Sequence, residues 1–211
     1  MNSQAKPSDR TIVSARSIAL ALVGAFSLAI AGCTGEPIIT EEPPLAGADI
    51  GGDFELEGPS GEKVRWSDFE GQYRIVYFGY AYCPDICPTD VQRMTKGLDI
   101  ASKNKPDMLY SITPMFITID PERDTRDVID QFTAAFSDRL IGLTGTPEEV
   151  RAAADEFRVY YERGEEVDGG GYLVNHSNIV YLFDKDGKPL ATLPVDQGPE
   201  AVAAEIEKWV S

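Results

Sequence analysis

Histidine occurs once in this chain and cysteine three times, so any hypothesis built on metal ligands or thiol chemistry has few residues to draw on. Basic residues are scarce as well, 19 Lys and Arg against 35 Asp and Glu, for a formal net charge of -16. Residues 1–32 are themselves basic, carrying Lys6, Arg10 and Arg16 against Asp9, so the remainder is more acidic still. Such a surface repels phosphate backbones and excludes nucleic-acid binding, while leaving basic partners and metal cations open. No stretch after residue 32 is apolar for long enough to cross a bilayer. With 43% hydrophobic and 26% charged residues, the chain has the composition of a globular protein. It is long enough for one domain of ordinary size, and it shows neither an internal repeat nor a second domain.

What is present begins with an address. Lys6, Arg10 and Arg16 form a basic leader, Ile18 to Ala31 is an unbroken run of apolar and small residues, and Ile30-Ala31-Gly32 stands directly before Cys33. The run has the length of a signal-peptide core and is short for a membrane span. The small residues before Cys33 resemble the bacterial lipobox. That resemblance implies a lipoprotein signal peptide over residues 1–32 and a lipid on Cys33 as the first mature residue. The alternative is an uncleaved N-terminal anchor, and both place the domain outside the cytoplasm, facing the periplasm or the cell exterior. Thr34 to Gly52, with Pro37, Pro43 and Pro44 and no hydrophobic periodicity, reads as a flexible tether with a reach of roughly 3 Å per extended residue. Residues 33–52 are thus expected to be lipidated Cys33 plus tether, and residues 53–211 the folded domain.

Within that domain, Phe54–Glu57 and Lys63–Trp66 flank Gly58-Pro59-Ser60-Gly61, which predicts a hairpin. Arg74 to Tyr80 is a β-rich apolar run, expected as a buried central strand. From Pro88 to about Ser102, Val91, Met94 and Leu98 recur at helical spacing, with Thr89 and Asp90 in the first turn, where acids favour the dipole. Ile112–Ile119 predicts a second strand. Thr125–Phe136 predicts a helix with Val128, Ile129, Phe132 and Phe136 on one face and Asp124 as N-cap. Leu140–Leu143 predicts a short strand, and Thr146-Pro147-Glu148-Glu149 opens the next helix with a cap and a proline. Ile179–Phe183 and Leu190–Leu193 form a hairpin around Asp184-Lys185-Asp186-Gly187, a turn too short for a calcium loop. Gly198-Pro199 starts a last helix ending near Val210. Alternating strands and helices imply an α/β fold with a mixed central sheet, helices on both faces and an added N-terminal hairpin. The order resembles the thioredoxin fold.

With Cys33 assigned to lipid, Cys83 and Cys87 remain, in Cys83-Pro84-Asp85-Ile86-Cys87-Pro88. The pair follows a buried strand and precedes a helix, the edge on which open α/β sheets build their sites. Unpaired N–H groups and the positive dipole end of the helix favour thiolates there. The spacing lets both sulfurs converge on one ion or close a disulfide, and exported proteins often use such a pair structurally. Two thiolates are soft ligands that favour Cu(I) or Zn, and a closed site needs a third donor. His176 is the one imidazole, next to Gly169-Gly170-Gly171 and expected at the start of the strand ending in Phe183. Two thiolates and an imidazole suit three-coordinate Cu(I) and can also hold Cu(II).

The segments Tyr77-Phe78-Gly79-Tyr80-Ala81-Tyr82-Cys83-Pro84-Asp85-Ile86-Cys87-Pro88-Thr89-Asp90, Thr118-Ile119-Asp120-Pro121-Glu122-Arg123-Asp124-Thr125, Gly142-Leu143-Thr144-Gly145-Thr146 and Tyr172-Leu173-Val174-Asn175-His176-Ser177 occur in this order. Together they resemble the Sco/SenC/PrrC family over about residues 45–211. The resemblance implies copper bound by Cys83, Cys87 and His176 and a role outside the cytoplasm in building the copper-A centre of cytochrome c oxidase. The implied partners are the copper-A subunit and another periplasmic copper chaperone as donor. Some members are linked to reduction of the copper-A cysteines or to redox signalling. Two positions depart from the family: Tyr82 stands where a His is frequent, and Asn175 where an Asp is usual. The second removes a negative charge beside the site. Asp120 or Glu122 is expected either in a plain strand-to-helix turn or near the copper loop as an outer acid, and Asn175 beside the imidazole.

Two functions therefore compete. A copper chaperone needs thiolates, an imidazole and access. A thiol–disulfide oxidoreductase needs an attacking and a resolving cysteine, which Cys83 and Cys87 also provide. Such reductases usually carry a proline facing the active loop, and no proline lies between Glu165 and Lys188. His176 occupies that neighbourhood instead, which favours metal. A peroxidase is disfavoured by the lack of a peroxiredoxin-type Pro-x-x-x-Thr-x-x-Cys stretch.

Overall fold

A computed structural model describes residues 41–166 and 171–210. The expected signal peptide over residues 1–32 and Cys33 lie outside the described residues. Five strands form the central sheet in the order β5 (Ile141–Leu143), β4 (Ile112–Thr118), β3 (Tyr73–Gly79), β8 (Val180–Phe183), β9 (Pro189–Thr192). β3, β4 and β5 run parallel, and β8 and β9 are antiparallel to their neighbours. Every residue of β3 is buried, as its continuous apolar run requires of a strand covered on both faces.

Side chains alternate across that strand, and each set meets a different layer. On one face Tyr77 lies beside Phe116, and its hydroxyl donates to Asp90 of α1 (Ile86–Asn104). Phe116 packs on Phe132 of α2 (Arg126–Ala134). On the other face Phe78 packs on Phe157, which follows α3 (Pro147–Glu156) and also meets Phe54, Trp66 and Phe183. The hairpin of β1 (Glu55–Glu57) and β2 (Lys63–Arg65) belongs to this second layer. The last helix, α4 (Pro199–Trp209), lies along α1, close enough that a Cβ on Gly97 would stand 2.4 Å from Val202. The α/β architecture with a mixed sheet, helices on both faces and an N-terminal hairpin is as the sequence predicts. Among the described residues no helix is long and apolar enough to cross a membrane.

Four expectations need correction. The helix after the cysteines begins at Ile86, so Cys87 lies inside its first turn. Asp90, expected in the first turn, falls beyond it and is buried, because it lies three residues after Cys87, on the same face as Val91 and Met94. His176 does not open the strand to Phe183. It closes a separate strand, β7 (Tyr172–His176), which pairs antiparallel with β6 (Tyr161–Glu166). β7 alternates buried and exposed residues, as one covered face requires, whereas no residue of β6 is fully buried and its sequence shows no apolar alternation. Finally, the segment before residue 53 is fastened to the domain from about Leu45. Leu45 N–H donates to Leu190 O on the edge strand β9 (3.0 Å), Gly51 N–H to Glu156 O (2.9 Å), and Leu45 and Ile50 pack on the core. Apolar residues and edge acceptors hold what proline and glycine content made look free.

Candidate metal site

The C-terminal end of β3 delivers the chain to an exposed turn. Cys83 N–H donates to Tyr80 O (3.2 Å) and closes it. Helix α1 then starts without a side-chain cap. Its orphan donors find the Cys83 sulfur instead, with Cys87 N–H pointing at Sγ across 3.4 Å. An anionic acceptor at that position is favoured by the helix dipole. Cys87 is wholly buried and Cys83 half-buried. Gly79 makes the packing possible, because a Cβ there would lie 3.0 Å from both Phe116 and Tyr77 and 3.1 Å from the Cys87 sulfur.

The imidazole arrives from the other side of the cleft. His176 Nε2 lies 3.4 Å from Cys87 Sγ, and Nδ1 lies 2.9 Å from the Ser177 carbonyl oxygen. A carbonyl can only accept, so the proton belongs on Nδ1 and Nε2 presents its lone pair to the sulfurs. The ring stands edge-on to Tyr80 and Tyr77, at centroid distances of 5.9 and 6.4 Å. The ligand atoms of Cys83, Cys87 and His176 all lie within 4.8 Å of one another, a grouping that can hold a metal ion. Both cysteines are free thiols here. Cys83 and His176 border a cleft of about 420 Å³ that Tyr80, Ile86, Leu173 and Asn175 also line.

The two sulfurs are electrostatically unequal. The Cys87 thiol donates to Cys83, and the N–H groups of Cys87 and Asp85 add to it, so the Cys83 pKa falls well below the ordinary thiol value against the cost of burial. Cys87 is pushed up, first by that same shared proton and then by burial. The more accessible sulfur is therefore the more acidic of the two.

The candidate outer residues fall differently. Asp120 is buried, but its carboxylate is taken by Tyr172 Oη (2.7 Å) and Arg123 Nε (2.5 Å). Arg123 in turn lies 3.6 Å over the Tyr172 ring and 5.3 Å from that of Tyr82. Asp120 thus supports β7 through an aromatic–guanidinium stack. Asn175 is exposed on the cleft wall, and the partner of Nδ1 is the Ser177 carbonyl. Glu122 is exposed and meets Arg163 at 3.7 Å. Sequence reasoning missed Tyr77 and Tyr80, whose rings flank His176, and Asp90, which accepts from the Tyr77 hydroxyl behind them. Their signal was positional, since Asp90 lies on the core face of α1 and the tyrosines line the strand leading to the cysteines. Tyr80 Oη also accepts Val174 N–H (3.2 Å), which ties the cysteine side of the cleft to the histidine side.

Comparison with known proteins now bears on this geometry. The family model SCO1/SenC matches residues 42–211. A SCO2-like protein of Rickettsia felis is 39% identical over 173 residues, which cover 77% of this chain and 82% of that protein. The crystal structure of Arabidopsis thaliana ScoI with copper bound superposes with a TM-score of 0.70 at 34% identity, over 75% of this chain and 96% of that one. A thioredoxin domain of a Bacteroides vulgatus thiol-disulfide oxidoreductase shares the fold, with a TM-score of 0.52 at 18% identity over 77% and 96% of the two chains.

Proposed function

The chain belongs to the SCO1/SenC family, and from that premise we propose that it binds one copper ion through Cys83, Cys87 and His176 and delivers it outside the cytoplasm to the copper-A centre of cytochrome c oxidase. The observation that carries this reading is the convergence of two sulfurs and one imidazole nitrogen within 4.8 Å at the rim of a cleft. Two thiolates select a soft ion, and three donors without a fourth suit Cu(I); the imidazole also serves Cu(II). The copper bound to the related Arabidopsis protein supports the choice of metal. Because Cys83 is half-buried, an acceptor thiolate could approach the copper beside it and form a new copper–sulfur bond as the bond to Cys83 breaks, so that the ion would pass from sulfur to sulfur. A second periplasmic copper chaperone is the proposed donor. Copper titration of the reduced, full-length protein in detergent tests this. One copper per chain, lost in Cys83→Ser, Cys87→Ser and His176→Ala with the fold intact, is expected; unchanged binding in His176→Ala overturns the three-ligand assignment.

The unequal sulfurs favour a second reading, thiol–disulfide exchange. The Cys83 thiolate attacks a partner disulfide and displaces one partner thiolate. Cys87, giving up its proton, then attacks Cys83 Sγ, so that a Cys83–Cys87 disulfide forms and the partner leaves as a dithiol. Two electrons pass to the partner, and a dithiol donor restores the pair. Reduction of the copper-A cysteines in this way precedes their metallation, since a disulfide cannot ligate as two thiolates. Absence of tight copper binding together with a readily reducible disulfide would make this the principal activity.

The basic leader, apolar run and Cys33 support attachment to the membrane through an N-terminal lipid. Cys33→Ala should move the protein to the soluble fraction; retention in the membrane would point to an uncleaved anchor.

A further inference from the structure

Asp124 is expected from sequence to cap a helix, yet the cap position belongs to Thr125, and Asp124 turns inward until none of it is exposed. Its Oδ2 accepts two hydrogen bonds, from the Ala81 N–H (2.8 Å) and from the Thr118 hydroxyl (2.7 Å). Its backbone is pinned as well. The Asp124 N–H donates to Asp120 O (2.9 Å), and its carbonyl accepts from Thr144 Oγ1 (3.1 Å). Thr144 exchanges backbone bonds with Glu57 of the N-terminal hairpin. Ala81, 43 residues away in sequence, lies in the turn that Cys83 N–H closes on Tyr80 O.

This placement is costly. Oδ1 has no hydrogen-bond partner among the described residues, and a buried polar atom left unpaired costs about 1–3 kcal/mol, more when charged. Burial pushes the carboxyl up to about 6, with the Thr118 and Ala81 bonds and Arg123 opposing and Asp120 adding to the rise. Nothing in the chemistry of helix starts calls for an inward aspartate, because capping is done at the surface. The Tyr80–Cys83 turn, by contrast, has left the sheet and needs an external acceptor to hold one orientation.

We infer that Asp124 is a positioning residue for the copper loop, fixing the Cys83 sulfur through its hydrogen bond to Ala81 and referring that loop to the ends of β4 and β5. The inference deepens the proposed copper function and rests on it for its copper readouts, but not for its metal-free ones.

The test uses the full-length, reduced protein and three variants. Asp124→Ala removes the acceptor. Asp124→Asn keeps an amide oxygen in its place. Ala81→Pro removes the donor instead, at the second position of a four-residue turn, which tolerates proline. In the metal-free protein, Asp124→Ala should raise the Ala81 amide exchange rate at least about tenfold and change the rate at which iodoacetamide alkylates Cys83. With copper, Asp124→Ala and Ala81→Pro should each lower Cu(I) affinity by about 10–100-fold, the usual consequence of losing support behind a ligand. Both should also move the thiolate-to-Cu(II) charge-transfer band at unchanged far-UV circular dichroism. Asp124→Asn should stay within about threefold of wild type, which identifies the hydrogen bond rather than the charge. A lowered melting temperature with wild-type exchange, alkylation and band position in Asp124→Ala would make the residue merely structural and overturn the inference. So would wild-type copper behaviour in Ala81→Pro, which decides the matter should Asp124→Ala fail to fold. Failure of the wild-type protein to bind copper would instead sink the copper reading, leaving exchange and alkylation to judge Asp124.

Discussion

The cysteines and the histidine reach the same cleft on supports of different strength. Cys87 is wholly enclosed, on a long helix that packs on a strand buried along its whole length. His176 stands at the end of a two-stranded sheet whose other strand, Tyr161–Glu166, has no fully buried residue. That sheet's register shifts between Arg163 and Glu166. It is held to the body by only two buried side chains, Tyr172 and Val174, and by individual polar contacts: Val174 N–H on Tyr80 Oη, Tyr172 Oη on Asp120, and Arg123 Nη1 on the Tyr172 carbonyl. Continuous burial resists displacement by cooperative packing, whereas separate hydrogen bonds are each worth about 1 kcal/mol and can be exchanged one at a time. The difference assigns preorganisation to the sulfurs and adjustability to the imidazole. Under the proposed copper function, it would let one site serve both Cu(I) and Cu(II), whose preferred geometries differ.

The strongest way to challenge that contrast is through the pH dependence of the cysteine side. The folded-state pKa of Asp124 is raised to about 6 from 3.8. Its contribution to stability is therefore fully present below about 4 and lost as pH rises through about 6. Asp120 and Arg123 are the charged groups that face it. Asparagine is neutral throughout, so Asp124→Asn should gain on wild type between pH 4 and 7 by up to about 3 kcal/mol. Urea unfolding at several pH values measures this, and a constant difference would show that the carboxyl is not strained by burial. Next comes Gly79→Ala. Its Cβ would press on Tyr77, Phe116 and the Cys87 sulfur at 3.0–3.1 Å, and overpacking of this kind costs about 1–3 kcal/mol. A rigid cysteine side predicts that loss together with weakened copper binding; a loop that simply yields would show neither in thermal melts or copper titration. The smallest effect belongs to the histidine side. Tyr80→Phe removes the acceptor of Val174 N–H and should cost about 1 kcal/mol. Amide exchange should rise through Leu173–His176 while that of the helix Ile86–Asn104 stays put, and coupled changes in both would erase the distinction.

Legibility in the sequence follows the same division. The buried strand, the periodic helix after the cysteines and the Thr146 cap with Glu149 returning its own bond were readable, because burial and capping each leave a local pattern. The grouping of Cys83, Cys87 and His176, whose ligand atoms lie within 4.8 Å of one another, was readable because the chain offers so few alternatives. The strand Tyr161–Glu166 was not, since exposed charged residues form it only to pair with the histidine strand. Asp124 was misread for a related reason. Next to a helix start it satisfies every local rule for a cap, and only the fold reveals that Ala81 competes for it from 43 residues away. The segment from Leu45 to Gly52 likewise looked free until its acceptors, Leu190 and Glu156, were placed beside it.

X-ray absorption at the copper edge tests the central claim most directly. On the Cu(I)-loaded full-length protein the account predicts two sulfur neighbours and one imidazole nitrogen, with the nitrogen lost in His176→Ala and both sulfurs retained. A copper environment without two sulfurs, or one that His176→Ala leaves unchanged, would contradict it.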